Sequence, residues 1–172
     1  MTKSRAYSEA VWRRIRQATT QQTPIWVLSD YDGTLTPIVD RPDLAVLSDA
    51  MRATVGTLAT RCVVAIISGR DRANVAELVG LDSVYYAGSH GFDISGPAGC
   101  RMQHDGGVAA AYPTLRVTGG KKILELRPRI EWDKGRAILW LLRMLNLDRA
   151  GVCPIYIGDD VTDEDAFEAL VD

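Results

Sequence analysis

Four short runs of apolar residues constrain the fold of this chain more than any other feature of its sequence. They are IWVLS at 25–29, VVAII at 63–67, VYYAG at 84–88 and PIYIG at 154–158. Segments with helical periodicity lie between them, from about Ser48 to Thr60 and from Arg136 to Leu147. Strands that are apolar on both faces and alternate with helices are typical of a parallel sheet with helices on both sides. The sequence therefore predicts an α/β fold whose ligands bind at the carboxyl ends of the strands.

The remaining segments differ from this pattern. A fifth run, KILELR at 122–127, alternates apolar and polar residues and is predicted to be a half-exposed strand. Residues 96–120 contain six glycines and two prolines without periodicity, which predicts an insertion or a long loop rather than a layer of the sheet. The length of 172 residues suits a single domain over 1–172. Its predicted parts are a core at 21–95 and 121–172, a connector or vestigial cap at 96–120, and a basic helix or extension at 1–20.

The balance of charges argues against a nucleic-acid-binding protein. The chain has 20 Lys and Arg against 22 Asp and Glu, a net charge of −2, whereas such proteins are usually clearly basic. No apolar run approaches the roughly 20 residues that span a bilayer. The three cysteines form no CxxC pair, and Cys62 and Cys153 border apolar runs, as expected for small core residues in a reducing compartment. We therefore expect a cytoplasmic protein that binds neither nucleic acid nor a membrane.

Two strings of acidic residues directly follow predicted strands. In SDYDGTLTP at 29–37, Asp30 and Asp32 end the first strand together, because residues two apart in a strand face the same side. GDDVTDED at 158–165 follows the last strand and contains Asp159, Asp160 and Asp163. A turn that ends a strand explains the first string taken alone, and acids favoured at a helix start explain Asp163. Together, however, carboxylates about 4 Å apart would repel by about 4 kcal/mol at an effective dielectric of 20, so an all-oxygen cluster predicts bound Mg²⁺.

A hydroxyl group and a cation complete the pattern. IISGRD at 66–71 places Ser68 at the end of the second strand, where Gly69 lets the backbone approach a ligand closely. WDKG at 132–135 places Lys134 in the first turn of a helix, where the dipole disfavours a cation, so an anion is expected opposite. Each also has a structural explanation, as a helix cap or a surface lysine. Combined with the carboxylates, they predict phosphoryl transfer in which one Asp attacks phosphorus.

In their order along the chain, DYDGT, SGR, DKG and GDDVTDED resemble the motifs of the haloacid dehalogenase (HAD-like) superfamily of aspartate-nucleophile phosphatases. More narrowly, the sequence is similar to the trehalose-6-phosphate phosphatase family in the strings DYDGTLTPIV, SGRD, GSHGFDISGP, ELRP, WDKG and YIGDDVTDEDAF. The similarity covers about residues 25–97 and 118–170. It implies a Rossmann-like HAD core and a hydrolase of trehalose biosynthesis that uses Mg²⁺ to convert trehalose 6-phosphate to trehalose and phosphate.

The resemblance also implies a role for each matching residue. Asp30 would be the nucleophile and Asp32 the general acid/base, while Ser68 and Lys134 would hold the phosphoryl oxygens. Asp30, the backbone carbonyl of Asp32 and Asp159 would bind Mg²⁺. Two further aspartates would support the metal site, Asp160 and Asp163. Gly69 and Arg70 match substrate-binding positions. Three further residues match positions near the sugar, namely His90, Lys122 and Glu125.

The sequence departs from the family pattern at two places. Family members carry a sizeable α/β cap between the GSHG and KK-ELRP segments, where this chain has only residues 96–120, and they continue beyond the position of Asp172 into at least one more strand and helix. We expect a small-molecule sugar phosphate as substrate and a monomer, unless a partner supplies the cap. Two alternatives stay open: a broad-specificity sugar-phosphate phosphatase, and a non-catalytic, truncated relative that acts as a binding module.

Overall fold

A six-stranded sheet with helices on both faces forms the centre of the molecule. The computed structural model describes residues 3–103, 115–119, 124–128, 132–148 and 151–171. The strands of the main sheet are β1 (Ile25–Asp30), β2 (Val63–Ile67), β3 (Tyr85–Gly88), β4 (Asp93–Gly96), β5 (Cys100–Gln103) and a later strand, Cys153–Ile157. This last strand, β8, lies beside β1, and the order across the sheet is β5-β4-β3-β2-β1-β8. The strand β1 is parallel to both of its neighbours, so the residues that follow it lie at the middle of the carboxyl edge.

Five helices flank this sheet, and four of them, α2 to α5, cover its two faces in pairs. They are α1 (Lys3–Thr20), α2 (Asp49–Ala59), α3 (Arg72–Val79), α4 (Lys134–Met144) and α5 (Glu164–Ala169). Alternate residues of β2 show the division, because Val64 and Ile66 pack in the cluster with α2 and α3. Ala65 and Ile67 pack in the other cluster, with α4 and α5. Both faces of the central strands are therefore buried, and the predicted α/β class is confirmed.

Side-chain acceptors fix where three of the helices begin. An oxygen of the residue before the helix accepts a backbone N–H of the first turn at Ser48 for α2, Asp71 for α3 and Asp133 for α4. Losing such a cap typically costs about 1 kcal/mol. The cap at Asp133 makes Lys134 the first residue of α4, as the sequence predicts.

The main sheet is not wholly parallel, and the prediction that residues 96–120 have no place in it was wrong for residues 100–103. The strands β3 and β4 pair antiparallel, and so do β4 and β5, which brings residues 100–103 into the sheet. The turn between β4 and β5 uses Ala98 and Gly99 at positive φ, 57° and 74°. Each of these two strands has only four residues, too few to show a clear period in the sequence.

The predicted strand KILELR lies outside the main sheet. Its residues 124–127 belong to β7 (Leu124–Pro128), which pairs antiparallel with β6 (Leu115–Gly119) in a separate two-stranded sheet. The alternation of residues within one strand predicts which face is exposed, but it does not predict which strand it pairs with. Antiparallel strands can be joined by a short connection, so the partner can lie nearby in the sequence. Residues 104–114 and 120–123 lie outside the described residues, so only part of the predicted connector can be compared.

The described helices and the cysteines bear on the predicted environment of the protein. Within the described ranges, none of the helices combines the length and the apolar character needed to cross a membrane. Cys62, Cys100 and Cys153 are all free, and Cys153 is buried.

Candidate active site

Asp30 lies at the centre of a buried, charged cluster at the carboxyl edge of the sheet. It is the last residue of β1, and its side chain is only 7% exposed. Its Oδ1 accepts a hydrogen bond from the Lys134 Nζ at 2.7 Å. Burial raises the pKa of Asp30 to about 6, against the attraction of Lys134 and with the help of the nearby charges of Asp163 and Asp32. The carboxylate therefore carries its charge at some cost in the protein alone.

Lys134 is the cation that the sequence placed at an unfavourable helix end. Its side chain is 5% exposed, and Nζ donates to Asp30 Oδ1 and to Asp163 Oδ1, the latter at 2.6 Å. Burial alone would lower the pKa of Lys134, but the two carboxylates outweigh burial and raise it. The predicted anion opposite the lysine is thus a pair of aspartates, and the explanation as a surface lysine was wrong.

Asp163 organises this side of the site from a fully buried position. Its Oδ1 accepts from Lys134 and from the Tyr156 hydroxyl at 2.6 Å. Its Oδ2 accepts the backbone N–H groups of Asp159 and Asp160 at 3.0 and 2.9 Å. A carboxylate has about four lone-pair sites, and four donors already occupy them. Burial acts to raise the pKa of Asp163, but these hydrogen bonds and Lys134 outweigh it and lower the pKa.

The pKa values of the two carboxylates that share Lys134 are therefore shifted in opposite directions, upward for Asp30 and downward for Asp163. Asp30 has one hydrogen-bond donor from Lys134, and burial dominates its pKa. Asp163 has four donors, which compensate its burial. The surroundings of each carboxylate explain the direction of its pKa shift. Asp163 is an anion whose acceptor sites are all occupied, whereas Asp30 still has acceptor sites without a donor.

Asp30, Asp159 and Asp163 form the acidic cluster that could hold a metal ion among the residues the structure describes. One oxygen from each lies within 4.8 Å of the others. Asp159 is exposed, and its Oδ1 accepts from the Thr34 hydroxyl at 3.2 Å. The Asp159 carboxylate lies against Gly33, where a Cβ would displace it, and the φ of +91° at Gly33 also favours glycine. An all-oxygen donor set with excess negative charge fits a hard divalent cation rather than zinc.

Asp32 does not join that cluster through its side chain. The carboxylate instead accepts two hydrogen bonds from Arg70, from Nε and from Nη2, both at 2.7 Å. Its side chain remains 42% exposed, whereas that of Arg70 is 14% exposed. Asp30 ends β1 as predicted, whereas Asp32 lies two residues beyond the end of the strand. The carboxylates of the two residues have different partners.

Ser68 and Gly69 lie beside this edge, at the end of the neighbouring strand. Ser68 is buried, and its Oγ accepts the backbone N–H of Arg70 at 3.1 Å. The ring of His90 lies against Gly69, where a Cβ would be 2.8 Å from it. The backbone N–H of His90 donates to the Ser68 carbonyl at 2.9 Å, so the two segments are fixed to each other.

Two of the predicted sugar-contacting residues cannot be located by their side chains. Lys122 lies outside the described residues. Glu125 is paired with Thr118 across β6 and β7, but only its backbone is described. Asp160 contributes its backbone N–H to Asp163, as given above, and its side chain is half-buried.

Sequence reasoning missed Tyr156 as part of the site. Its hydroxyl donates to Asp163, and its ring packs edge-on against Phe167 at 5.5 Å between centroids. Burial and the contact with Asp163 raise its pKa, so the hydroxyl keeps its proton and remains a donor. The sequence feature that could have indicated this role is a tyrosine in a mostly apolar strand, two residues before GDD.

Comparison with known proteins identifies the family of this chain. A family model described as trehalose-phosphatase matches residues 28–110 and 102–172, which is most of the chain. The chain belongs to the trehalose-phosphatase family. The family that the sequence strings indicated is therefore confirmed, and it is a family of phosphoric monoester hydrolases.

Relatives and solved structures support the same assignment. The probable trehalose-phosphate phosphatase 4 of Oryza sativa subsp. japonica is 39% identical over 203 residues, covering 85% of this chain and 55% of the rice protein. The chain spans about half the length of the curated relatives it matches. The structure of Aspergillus fumigatus trehalose-6-phosphate phosphatase matches with a TM-score of 0.66 and 27% identity, over 87% of this chain and 78% of that one.

A more distant structure bears on the fold alone. A haloacid dehalogenase-like hydrolase from Bacteroides thetaiotaomicron matches with a TM-score of 0.64 at 14% identity, over 85% of each chain. The prediction of a HAD-like core is confirmed.

Proposed function

We propose that this chain is a Mg²⁺-dependent phosphoric monoester hydrolase that converts trehalose 6-phosphate to trehalose and phosphate through an aspartyl-phosphate. The observation that carries the proposal is the buried Lys134 ammonium, held between Asp30 and Asp163. A fixed cation beside a buried carboxylate stabilises the charge that develops on a transferring phosphoryl group. The names of the relatives above, which are trehalose-phosphate phosphatases, supply the substrate.

Asp30 attacks phosphorus in the first half of the reaction. The new bond joins its carboxylate oxygen to phosphorus, while the bond from phosphorus to the sugar oxygen breaks. Asp32 gives a proton to the departing sugar oxygen, which is general acid catalysis. In the second half Asp32 takes a proton from water as the water oxygen bonds to phosphorus, and the bond to Asp30 breaks to release phosphate.

The metal site we propose uses the carboxylates with free acceptor capacity. Asp30 and Asp159, with the backbone carbonyl of Asp32, would hold Mg²⁺, and Asp163 and Asp160 would support them from behind. Asp163 suits this supporting role because its four acceptor positions are already occupied. Mg²⁺ bound there supplies positive charge that neutralises the phosphoryl oxygens.

The remaining predicted residues would bind the substrate. Ser68 and Lys134 would hold the phosphoryl oxygens, with the Gly69 backbone beside them. His90 lies against Gly69 and would contact the sugar of the substrate. Lys122 and Glu125 would face the sugar, a role that rests on the resemblance alone.

Phosphate release from trehalose 6-phosphate by the purified chain tests the proposal. The wild type should be active with Mg²⁺ and inactive with EDTA. Asp30→Asn should abolish turnover and the trapping of an aspartyl-phosphate, whereas Asp43→Asn, at an exposed ion pair, should leave both unchanged. Trapped phosphoenzyme in Asp30→Asn would refute the assignment of the nucleophile. A wild type inactive on every sugar phosphate would favour the binding-module alternative.

A broad-specificity sugar-phosphate phosphatase is the second candidate, and two observations favour it. The family model matches in two stretches that meet at 102–110, and the match to the rice protein is longer than this whole chain. The relative thus has internal residues that this chain lacks, as expected for a reduced cap.

The proposed setting follows from the same observations. We propose a monomer in the cytoplasm, a location that the three free cysteines fit. Its net charge of −2 fits a protein that binds no nucleic acid.

A further inference from the structure

We infer that Arg70 is the positioning residue of Asp32, holding its carboxylate in a fixed direction beside the reacting phosphate, and is not itself a ligand of the substrate. The inference rests on the proposed function, since it takes Asp32 as the general acid/base. It replaces the expectation that Arg70 contacts the substrate.

The contact between the two side chains is bidentate. Nε donates to Asp32 Oδ2 and Nη2 donates to Asp32 Oδ1, each at 2.7 Å. A planar guanidinium matches a carboxylate in this way, so the pair fixes an orientation as well as a distance. A lysine would supply the charge without the orientation.

Arg70 is itself held on several sides. Nη2 also donates to the Pro42 carbonyl at 2.9 Å, and Nη1 donates to Asn74 Oδ1 at 3.3 Å. The guanidinium carbon lies 5.5 Å from the centre of the Tyr31 ring, and the Tyr31 hydroxyl donates to the Ala45 carbonyl. Arg70 therefore connects the turn after β1, the segment near Pro42 and the helix α3.

The donors of Arg70 are almost fully used by these contacts. A guanidinium has five N–H donors, and the four hydrogen bonds to Asp32, Pro42 and Asn74 occupy four of them. One N–H remains, too little for the bidentate grip by which arginine usually binds phosphate.

Asp32 by contrast keeps open acceptor capacity. Arg70 occupies two of its roughly four lone-pair sites, and the side chain is 42% exposed. The carboxyl group can therefore meet a leaving group while Arg70 holds it. Without Arg70 the side chain would be free to rotate among its staggered rotamers, and its alignment with the sugar oxygen would be lost.

Two substrates that differ in their leaving group separate positioning from substrate binding. The sugar oxygen of trehalose 6-phosphate needs a proton to depart, whereas the phenolate of p-nitrophenyl phosphate does not. We compare kcat/KM for both substrates in wild type, Asp32→Asn, Arg70→Gln, Arg70→Lys and the double variant Asp32→Asn with Arg70→Gln. Arg41→Gln, at an exposed ion pair with Asp43, is the matched control.

The expected pattern is selective. General acid catalysis is worth about 10²–10⁴-fold, so Arg70→Gln and Arg70→Lys should lose at least about tenfold on trehalose 6-phosphate and less than about threefold on p-nitrophenyl phosphate. In the Asp32→Asn background, Arg70→Gln should cause little further loss, because a shared role is non-additive. Arg41→Gln should match wild type, and thermal melts should show each variant folded.

Other outcomes overturn the inference. Equal losses on both substrates would make Arg70 a phosphate ligand, and no loss on either would remove its role. If Arg70→Gln does not fold, Arg70→Lys and Asn74→Ala, which remove the fork and one of its supports, give the same comparison. A wild type inactive on both substrates would refute the proposed function, and the inference with it. An active wild type with unselective Arg70 variants would refute the inference alone.

Discussion

Asp30 and Asp163 show how two aspartates that share one lysine can have different tasks. Asp163 is satisfied by four donors and fixes the loop of Asp159 and Asp160, whereas Asp30 has one lysine contact at the end of a buried strand. An acceptor with capacity to spare is what a nucleophile and metal ligand requires. Burying the charged carboxylate of Asp30 should lower the free energy of unfolding by a measurable amount.

The raised pKa of Asp30 predicts a specific dependence of stability on pH. Its pKa is about 6 in the folded protein and near 3.8 when unfolded, so between these values the folded state binds more protons and stability falls as pH rises. The difference between these two pKa values corresponds to on the order of 3 kcal/mol of unfolding free energy. In EDTA, the unfolding free energy of wild type should fall relative to that of Asp30→Asn as the pH rises from about 4 to about 6. Above about pH 6 the difference between the two proteins should stay constant. Denaturant unfolding of both proteins across this range measures it.

One outcome of these unfolding experiments would contradict the raised pKa of Asp30. A difference in unfolding free energy between wild type and Asp30→Asn that does not change with pH would contradict the pKa. Saturating Mg²⁺ should move the fall to lower pH, because a bound cation favours the ionised carboxylate.

At the scale of elements, the close contact between α4 and α5 sets the distance from Lys134 to Asp163. A Cβ on Gly135 would lie 2.2 Å from the carbonyl oxygen of Asp165, a backbone atom that cannot move aside. Gly135→Ala should push the two helices apart and cost about 1–3 kcal/mol, as overpacking usually does. It should also lower kcat, because the cation moves with its helix.

Gly56 provides the matched control for this prediction. It also lies within a helix, α2, but a Cβ there would meet only Leu81 Cδ2 at an ordinary 3.7 Å. Gly56→Ala should therefore stabilise the protein by about 0.5–1 kcal/mol through helix propensity alone. Thermal and denaturant unfolding of both variants should give shifts of opposite sign; two shifts of the same sign would contradict the close contact.

The elements that could be predicted are those whose pattern lies within a short stretch of sequence. Strands β1 and β2 follow apolar runs that are buried on both faces, and the sequence located them to within a residue. Lys134 was recognised because a cation at a helix start conflicts with the dipole. The antiparallel strands β4 and β5 were missed because four-residue strands carry almost no period. The Asp32–Arg70 contact joins residues 38 apart, and only the fold brings them together.

At the scale of the whole molecule, metal binding should couple three loops that are distant in sequence. Mg²⁺ that binds only the folded chain should stabilise it by about 2.7 kcal/mol at 100 times its Kd. Asp159→Asn should abolish most of this gain, whereas Asp43→Asn, at an exposed ion pair, should retain it. Thermal melts with and without Mg²⁺ measure the effect, and a melting temperature of wild type indifferent to Mg²⁺ would count against the metal site.

The reduced cap that we propose at residues 96–120 leads to a prediction about specificity. The two matched stretches of the family model meet at 102–110, where we expect the missing cap residues. Binding energy from remote parts of a substrate normally supports orientation at the reacting phosphorus. Each lost pocket contact is worth about 1–3 kcal/mol, so the loss of several could remove a preference of about 10³-fold. We therefore expect similar kcat/KM values for trehalose 6-phosphate and glucose 6-phosphate, which share a sugar leaving group and differ in the second glucose.

Glucose 6-phosphate is the informative competitor because both substrates need the same proton from Asp32. A difference between them therefore reports contacts to the second glucose and not the acid step. A preference for trehalose 6-phosphate of about 10³-fold would contradict the prediction and mean that residues 96–120 or a second chain rebuild the cap. Repeating the comparison over a range of protein concentrations separates these two causes, since only a contribution from a second chain grows with concentration.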